Sequence, residues 1–311
     1  MWRGESPGGI ISRFQAGTSM KVVFSRKGFD SQYGGMPSPI LPDGRLLPLP
    51  IPSTRDSATL ANLDFADASL DQLLCDLSAG KHGLQTHVHF DPDLGGRHVA
   101  NLMNWRPALG QTGSAQSHLS RHGIGAGDVF LFFGWFRLTE CTGGKWRFAP
   151  GAPDLHVLFG WLEIDEVLPV VTQRTEVLRR HPWIAVHPHV AAPDWYADGR
   201  NTVYIARKRS VYTRAKAMGG GRFVAMRPEL QLTRPGHSRS VWSLPRWFAP
   251  DGRAPMSYHA KANRWEIRED GVTLRSVAKG QEFVVDGTVY PELEAWVADL
   301  IRGNAGNCSS T

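Results

Sequence analysis

The stretch GDVFLFFGWFRL, Gly127 to Leu138, is an apolar, aromatic-rich run of the kind that forms a buried β-strand. A second run, HVLFGWLEIDEVLPV from His156 to Val170, shares its Phe-Gly-Trp centre. Glycine inside a strand usually marks a bulge, a bend or the close approach of another backbone. Two such strands side by side therefore predict a strongly bent sheet or a small barrel at the centre of the fold.

Weaker patterns on either side supply the other elements. KVVFS (21–25) and QTHVHF (85–90) are typical of strands, and the leucine spacing of SLDQLLCDL (69–77) is typical of a helix. A short helix is expected over residues 114–122, and two late strands precede a C-terminal helix with one apolar face. The fold class predicted is α+β, a bent and mostly antiparallel sheet with three to five flanking helices.

No linker divides the chain, so a single domain is predicted over residues 20–302. Residues 1–19 and 303–311 show no hydrophobic periodicity and are predicted to be disordered tails.

Composition is ordinary for a globular protein, with 41% hydrophobic and 21% charged residues among 311. The three cysteines are widely spaced and form no CxxC motif, which disfavours a disulfide framework or a thiolate zinc site and favours a reducing, cytoplasmic location. Cys75 falls in the apolar pattern of the first helix and is expected to be buried. No apolar run approaches the roughly 20 residues of a membrane span, so no membrane contact is predicted.

The net charge of +6 is compatible with a partner that carries phosphate, such as a nucleotide or nucleic acid. Solubility alone accounts for this charge equally well.

The segment THVHFDPDLGG (86–96) holds the densest set of groups that could do chemistry. Alternate residues of an extended strand share a face, so His87, His89 and Asp91 should point the same way, with Asp93 just beyond. Imidazole and carboxylate at this spacing suit a divalent metal ion, with His87, His89 and Asp91 as ligands, or an acid–base centre. The alternative is structural, with histidines that pack along a half-buried strand and aspartates that only form a turn.

A second pair of histidines, His187 and His189 in the motif HPH, repeats this i, i+2 spacing. We predict that this pair could complete the shell of ligands around the same ion.

The loop FSRKGFDSQYGGMPSPILPDGRLLPLPIPS (24–53) is long for a compact domain, and its prolines make it stiff. Arg26 and Lys27 offer two cations to an anion such as phosphate, although Asp30 would equally serve as their ion-pair partner. We predict an ordered loop that packs over the sheet and brings Arg26, Lys27 and Asp30 to the same cleft as the HVHFDPD segment.

The segment GQTGSAQSHLSRHG (110–123) supplies amides and imidazoles in a glycine-rich setting. Gln111 and Gln116 are candidates for contacts with a base or sugar, and His118 is a candidate catalytic residue. A polar helix start explains the same residues without any function.

Most of the aromatic residues are needed for the core of a β-rich domain. Trp242 and Trp247 have arginine neighbours and are the better candidates for stacking on a base. Arg137, at the end of the first Phe-Gly-Trp strand, joins them as a candidate substrate-binding residue.

Taken together, these segments resemble the third of the nucleotide-modification-associated domain families. That family is associated by genomic context with systems that modify bases in phage and bacterial nucleic acids. The resemblance implies a nucleotide or nucleic-acid setting, but it supplies no reaction. It spans roughly residues 20–265 and is carried by the opening loop, HFDPDL, AQSHL, GDVFLFFGWFR, HVLFGWLEI, HPH and SVWSLPRWF.

Within this span, GDVFLFFGWFR followed by HVLFGWLEIDEV is similar to the core of the EVE- and ASCH-type domains of the PUA-like superfamily. Those small bent barrels bind nucleic acid and often recognise modified bases in an aromatic pocket. The similarity implies a PUA-like barrel at the heart of the sheet. The opening loop and the HVHFDPD segment are not part of that pattern.

The sequence therefore predicts an enzyme of nucleotide or nucleic-acid base modification, with a divalent metal ion as its candidate cofactor. Neither GxSxG nor HExxH occurs, which disfavours serine-nucleophile and zincin chemistry. The alternative is a non-catalytic reader of modified bases with an aromatic pocket. A third hypothesis is a structural partner of other proteins in a modification or defence complex.

Overall fold

The structure is a computed structural model that describes residues 19–192, 196, 199–213 and 217–305. Over these residues its main feature is a mixed sheet of nine strands. The strands are β1 (Lys21–Arg26), β2 (Ser38–Ile40), β3 (Ala108–Gln111), β4 (Val129–Thr142), β5 (Lys145–Phe148), β6 (Leu155–Pro169), β7 (Thr202–Ala206), β8 (Gly220–Arg222) and β12 (Glu282–Asp286).

Six of these strands follow the order β12-β1-β4-β6-β7-β3, while β2 and β5 pair with β4 and β8 pairs with β6. Strand β4 runs parallel to β1 and β2, and the other pairs of this sheet are antiparallel. The predicted α+β class and mostly antiparallel sheet are confirmed.

The two Phe-Gly-Trp runs are the long central strands β4 and β6, paired antiparallel as predicted. Their register shifts between Phe132 and Phe133, which is a β-bulge. A Cβ on Gly134 would lie 2.8 Å from the carbonyl oxygen of Lys27, and one on Gly160 would lie 2.8 Å from that of Gly221. These glycines therefore let neighbouring backbones approach the sheet closely.

A second, antiparallel sheet of three strands and five α-helices flank the main sheet in the described residues. Asp67 caps the first helix by accepting a hydrogen bond from the backbone N–H of Leu70. The second sheet has β9 (Val241–Leu244), β10 (Trp265–Arg268) and β11 (Gly271–Arg275), and the helices are α1 (Ala68–Ser78), α2 (Gly113–Arg121), α3 (Val170–Arg180), α4 (Pro188–Ala191) and α5 (Leu293–Asn304).

Three apolar clusters hold these layers together and fix the parts that matter for function. The largest lies around β4 and β6 and includes the apolar face of α5. A second joins α1 to the opening loop. A third packs α3 and α4 against β3 and β7, and it thereby fixes the HPH segment at the end of β3.

The opening loop is ordered, because Phe29, Leu47 and Leu49 are buried against α1. Burial of each such side chain contributes about 1.5–3 kcal/mol toward the roughly 1–2 kcal/mol cost of fixing each residue's backbone. Gly28, at φ +84°, makes the turn that leads from β1 into the loop.

Three sequence-based expectations differ from the structure. The described sheet is open and does not close into the PUA-like barrel, since β12 and β3 lie at its two ends and do not pair with each other. Residues 85–90 form only isolated bridges, from His87 and Val88 to Thr59 and Pro52, so they are no strand of the sheet. Cys75 is exposed, because α1 buries Leu73 and Leu74 instead.

Most of the two predicted tails, residues 1–18 and 306–311, lies outside the described residues. Helix α5 continues to Asn304, beyond the predicted end of the domain at residue 302. Among the described helices, none combines the length and the apolar character needed to cross a membrane.

Candidate metal centre

A cleft of about 1830 Å³ opens beside the ends of β1 and β3. The opening loop forms one wall through residues 26–33 and 51–56, and the segment around His87 and His89 forms another. Gly110, Gln111 and His189 lie on the cleft surface as well, and residues 237–240 and 277–281 complete it. The cleft therefore unites most of the segments that the sequence singled out for function.

Three side chains converge in this cleft with the composition of a metal site. His89, Asp91 and His189 each offer a ligand atom, and these three atoms all lie within 4.8 Å of one another. Asp91 and His189 are buried and His89 is half-buried. Two imidazoles and one carboxylate are the ligand set of many sites for divalent transition metals, with further positions left open for water or substrate.

The hydrogen bonds of His189 fix which of its nitrogens can bind a metal. Asn201 donates its amide N–H to the backbone oxygen of His189, so its Oδ1 faces the imidazole Nδ1 at 2.7 Å. An amide oxygen only accepts, so Nδ1 carries the proton and Nε2 keeps a free lone pair. Burial lowers the pKa of His189 to about 3, so the ring is neutral, as a metal ligand must be.

His89 is oriented by a carboxylate in the same way. Its Nδ1 lies 3.2 Å from Oδ2 of Asp56. Burial alone would raise the pKa of Asp56, but hydrogen bonds from His89 and Ser53 lower it, so this carboxylate is ionised and accepts the Nδ1 proton. Nε2 is therefore the nitrogen of His89 that is left to bind a metal, which is the carboxylate–histidine arrangement seen behind metal ligands.

Asp91 is held as a buried anion. Its Oδ1 accepts a hydrogen bond of 2.6 Å from the backbone N–H of Gly110. Nε2 of His187 lies 3.4 Å from Oδ1, and the ammonium of Lys27 lies 3.8 Å from Oδ2. Burial would raise the pKa of Asp91, but His187 and Lys27 outweigh it and lower that pKa. Asp91 therefore offers a charged ligand at neutral pH.

Behind Lys27 lies a second buried carboxylate, Glu282. Its Oε1 is 3.6 Å from the Lys27 ammonium and accepts hydrogen bonds from Ser25 and Gln111, the latter at 2.6 Å. Burial raises the pKa of Glu282, against the opposing effect of Lys27. Lys27 thus links two buried acids.

Three of the predicted catalytic and metal-binding residues are not among the converging ligands. His87 is exposed in the cleft with its Nδ1 2.9 Å from the backbone oxygen of Asp56, and it is not one of the three converging ligands. Asp93 is buried and turns away, where Trp105 Nε1 donates to it at 3.1 Å and His98 lies at 3.4 Å. His118 lies outside the cleft lining, with its Nε2 3.0 Å from the hydroxyl of Ser257.

The opening loop does reach the cleft with Arg26, Lys27 and Asp30, as its position after β1 predicted. Arg26 donates to the backbone oxygens of residues 277 and 278. Asp30 accepts the backbone N–H groups of residues 32 and 33, so it caps its own turn and is not an ion-pair partner of Arg26 or Lys27 within 4.0 Å.

Of the remaining candidates for substrate binding, one lines the cleft and the others lie outside its lining. Gln111 lines the cleft, whereas Gln116 is buried outside it and accepts a hydrogen bond from Tyr204. Arg137 lies 3.9 Å from Asp154 on the rim of the cleft and is not in the lining itself. Trp242 is wholly buried, and Trp247 stacks on Phe248 at 4.0 Å outside the cleft. These two tryptophans are core residues in this fold.

Sequence reasoning missed Asp56, Asn201 and Tyr196, which support the ligands. Tyr196 stacks on the His189 ring at 4.2 Å with an interplanar angle of 12°. None of the three occupies a motif, so no local signal marks them. The HPH motif, by contrast, did identify His189 in advance.

His156 is another cleft residue that the sequence did not single out. Trp242 donates its indole N–H to Nδ1 of His156 at 3.0 Å. Burial first, and then the charges of Arg26 and Arg239, lower the pKa of His156 to about 3.

This shift predicts a dependence of stability on pH. In the unfolded chain His156 titrates near pH 6.5, so below that pH the unfolded chain binds a proton that the folded chain excludes, and the free energy of unfolding falls. We expect His156 to contribute about 1.4 kcal/mol per pH unit between pH 6 and 4. Urea unfolding of the wild type and of His156→Gln at a series of pH values measures this. Parallel pH profiles of the two proteins would contradict the expectation.

Comparison with known proteins identifies the family. The model of the family described as nucleotide modification associated domain 3 matches residues 21–286, most of the chain. The match begins at β1 and ends at β12, so it includes all three converging ligands. Neither curated proteins nor solved structures give a match.

Proposed function

Because the chain belongs to the nucleotide modification associated domain 3 family, we propose that it is a metal-dependent enzyme that modifies a nucleotide or a base of nucleic acid. The observation that carries the proposal is the convergence of His89, Asp91 and His189 on an open cleft.

The electrostatics of the three ligands support a bound cation. A buried carboxylate is costly unless it is paired. Nε2 of His187 lies 3.4 Å from Asp91, and the Lys27 ammonium lies 3.8 Å away and is shared with Glu282. The Nδ1 atoms of His89 and His189 are both engaged by other side chains, so Nε2 is the atom of each ring that is left to bind a metal. An arrangement of one anion and two lone pairs is matched by a divalent ion, and it has no evident use in a reader of bases.

A divalent ion in this place would polarise a substrate oxygen or activate a bound water. The chain itself supplies the proton-transfer group. His87 is exposed to the cleft, and its Nδ1 donates to the backbone oxygen of Asp56, so Nε2 is the atom that can accept a proton from a substrate. In this proposal His87 is a general base and not a ligand.

The first experiment is mass spectrometry of total nucleosides from cells that express the wild-type protein or His189→Ala in the native gene neighbourhood. We expect a modified nucleoside with the wild type that disappears with His189→Ala. His122→Ala, which changes an exposed histidine outside the cleft lining, should leave the modified nucleoside in place. Identical profiles for the wild type and His189→Ala would refute an enzymatic role.

The reader hypothesis gives a different outcome. A reader would bind nucleic acid equally well before and after His89→Ala and would change no nucleoside. An enzyme would lose turnover in His89→Ala while it continued to bind.

A further inference from the structure

The wall of the cleft formed by β4 and β6 carries a second polar cluster, distinct from the three metal ligands. Trp135 on β4 lies directly opposite His156 on β6. The Arg239 guanidinium lies over the Trp135 ring at 4.1 Å. The Arg26 guanidinium lies 5.7 Å from the centre of the Phe133 ring, and the His156 ring lies 5.2 Å from the same ring. Arg26, His156, Arg239 and Trp135 all line the cleft.

His156 presents a fixed hydrogen-bond donor in this cluster. The indole N–H of Trp242 can only donate, so Nδ1 of His156 must accept and the ring proton resides on Nε2. The lowered pKa keeps the ring neutral at physiological pH. The group therefore offers an N–H to the cleft without adding a third positive charge.

The two arginines have no close ion-pair partner among the described residues, although Asp30 partly offsets the effect of Arg239 on the pKa of Arg26. In the described part of the chain, no carboxylate oxygen lies within 4.0 Å of either guanidinium. Arg239 lowers the pKa of Arg26, an effect second only to burial, so the two charges are close enough to repel each other. Nε of Arg26 is buried and has no hydrogen-bond partner among the described residues.

We propose that Arg26, His156 and Arg239 form a subsite for a phosphate group of the substrate. The Arg239 guanidinium provides a forked donor that matches phosphate oxygens, and the neutral imidazole adds an N–H. Arg26 adds positive charge and the N–H hydrogens that it does not already donate to the backbone oxygens of residues 277 and 278. A bound phosphate would also relieve the repulsion between the arginines. The proposal rests on the proposed function, and it makes the substrate a nucleotide or a nucleic-acid strand instead of a free base or nucleoside.

The subsite revises the sequence-based pairing of Arg26 with Lys27. The two residues are adjacent in the chain, but Lys27 forms ion pairs with Asp91 and Glu282 on the metal side. Arg26 contacts the aromatic wall on the other side. Phosphate and metal would therefore be held by separate sets of residues in one cleft. The metal ion would then be available to contact the reacting atom of the substrate.

The test is isothermal titration of the full chain, at low salt, with inorganic phosphate, with the four deoxynucleosides, with their 5′-monophosphates and with a short single-stranded oligonucleotide. We expect a phosphate-bearing ligand to bind at least about tenfold more tightly than the matching nucleoside. Arg239→Gln should remove that advantage and leave nucleoside affinity within about twofold. Arg239→Lys keeps the positive charge but loses the forked pair of N–H donors. Its affinity for phosphate-bearing ligands should lie between those of the wild type and Arg239→Gln.

Arg246→Gln is the matched control, since Arg246 is exposed and lies outside the cleft lining. It should bind phosphate ligands as the wild type does. Monophosphates that bind in an Arg239-dependent manner identify a free nucleotide as the source of the phosphate, and an effect confined to the oligonucleotide identifies the nucleic-acid backbone.

Two results would overturn the subsite: no phosphate ligand binds more tightly than its nucleoside, or Arg239→Gln stays within about twofold of the wild type for all of them. Titration of Mn²⁺ into Arg239→Gln separates this failure from failure of the proposed function. Intact Mn²⁺ binding with unchanged phosphate affinity refutes the subsite alone. If the wild type neither produces a modified nucleoside nor binds Mn²⁺, the proposed enzymatic function is refuted.

Discussion

His189→Ala is expected to weaken the binding of a divalent ion more than about 100-fold, a larger loss than the 10–100-fold typical of residues that only support a ligand. The substitution removes one of the three converging ligands and leaves Asp91 and His89 to hold the ion. Titration of Mn²⁺ or Zn²⁺ against a competing chelator measures the affinity, and circular dichroism confirms that the variant is folded.

Two further variants are expected to weaken metal binding less than His189→Ala does. Asn201→Ala removes the acceptor that holds Nδ1 of His189, so it should cost about 10–100-fold in affinity. His87→Ala changes a cleft residue that is not among the three ligands and should stay within a few-fold of the wild type. Metal affinity that is unchanged in His189→Ala, or lost in His87→Ala and retained in His189→Ala, would refute the assigned ligand set.

Gly110→Ala is expected to disrupt the same site through packing alone. A Cβ at this position would lie 2.7 Å from Nε2 of His189 and closer still to two carbons of the ring. The ring cannot easily move away, since Asn201 holds its Nδ1 and Tyr196 stacks on its face. We expect a loss of about 1–3 kcal/mol in the free energy of unfolding from overpacking. We also expect a loss of metal affinity comparable to that of His189→Ala.

Gly303→Ala provides the matched control for this glycine substitution. Gly303 lies in helix α5, and no heavy atom comes within 4 Å of a Cβ built there. Alanine should stabilise the helix by up to about 1 kcal/mol and leave metal affinity unchanged. Thermal unfolding and metal titration of both variants test the pair. Normal metal binding by Gly110→Ala would show that His189 does not need its observed position.

Patterns within short windows predicted much of the fold and part of the site. The strands β1, β4 and β6 and the helix α1 follow from apolar spacing. The i, i+2 spacing in HVHFD and HPH selected all three converging ligands. The spacing identified the residue types but not their faces, because residues 85–90 are no strand and His189 lies in α4.

Long-range packing decided which of those candidates meet. The sequence grouped His87 with His89, but His189 replaces it because the third apolar cluster fixes α4 at the end of β3. Trp242 looked polar beside its arginines, yet β9 buries it completely and His156 satisfies its indole. No local pattern reveals which segment will cover a given face.

The amino-acid sequence by itself thus determined the strands, the opening loop's stiffness and the residue types that carry chemistry. The tertiary structure alone decided that the sheet stays open, that Lys27 joins Asp91 and Glu282, and that Arg26 joins His156 and Arg239. The physical reason is that local conformation depends on neighbours in the chain. The cleft depends on contacts between residues far apart in sequence, and these form only when the apolar clusters pack.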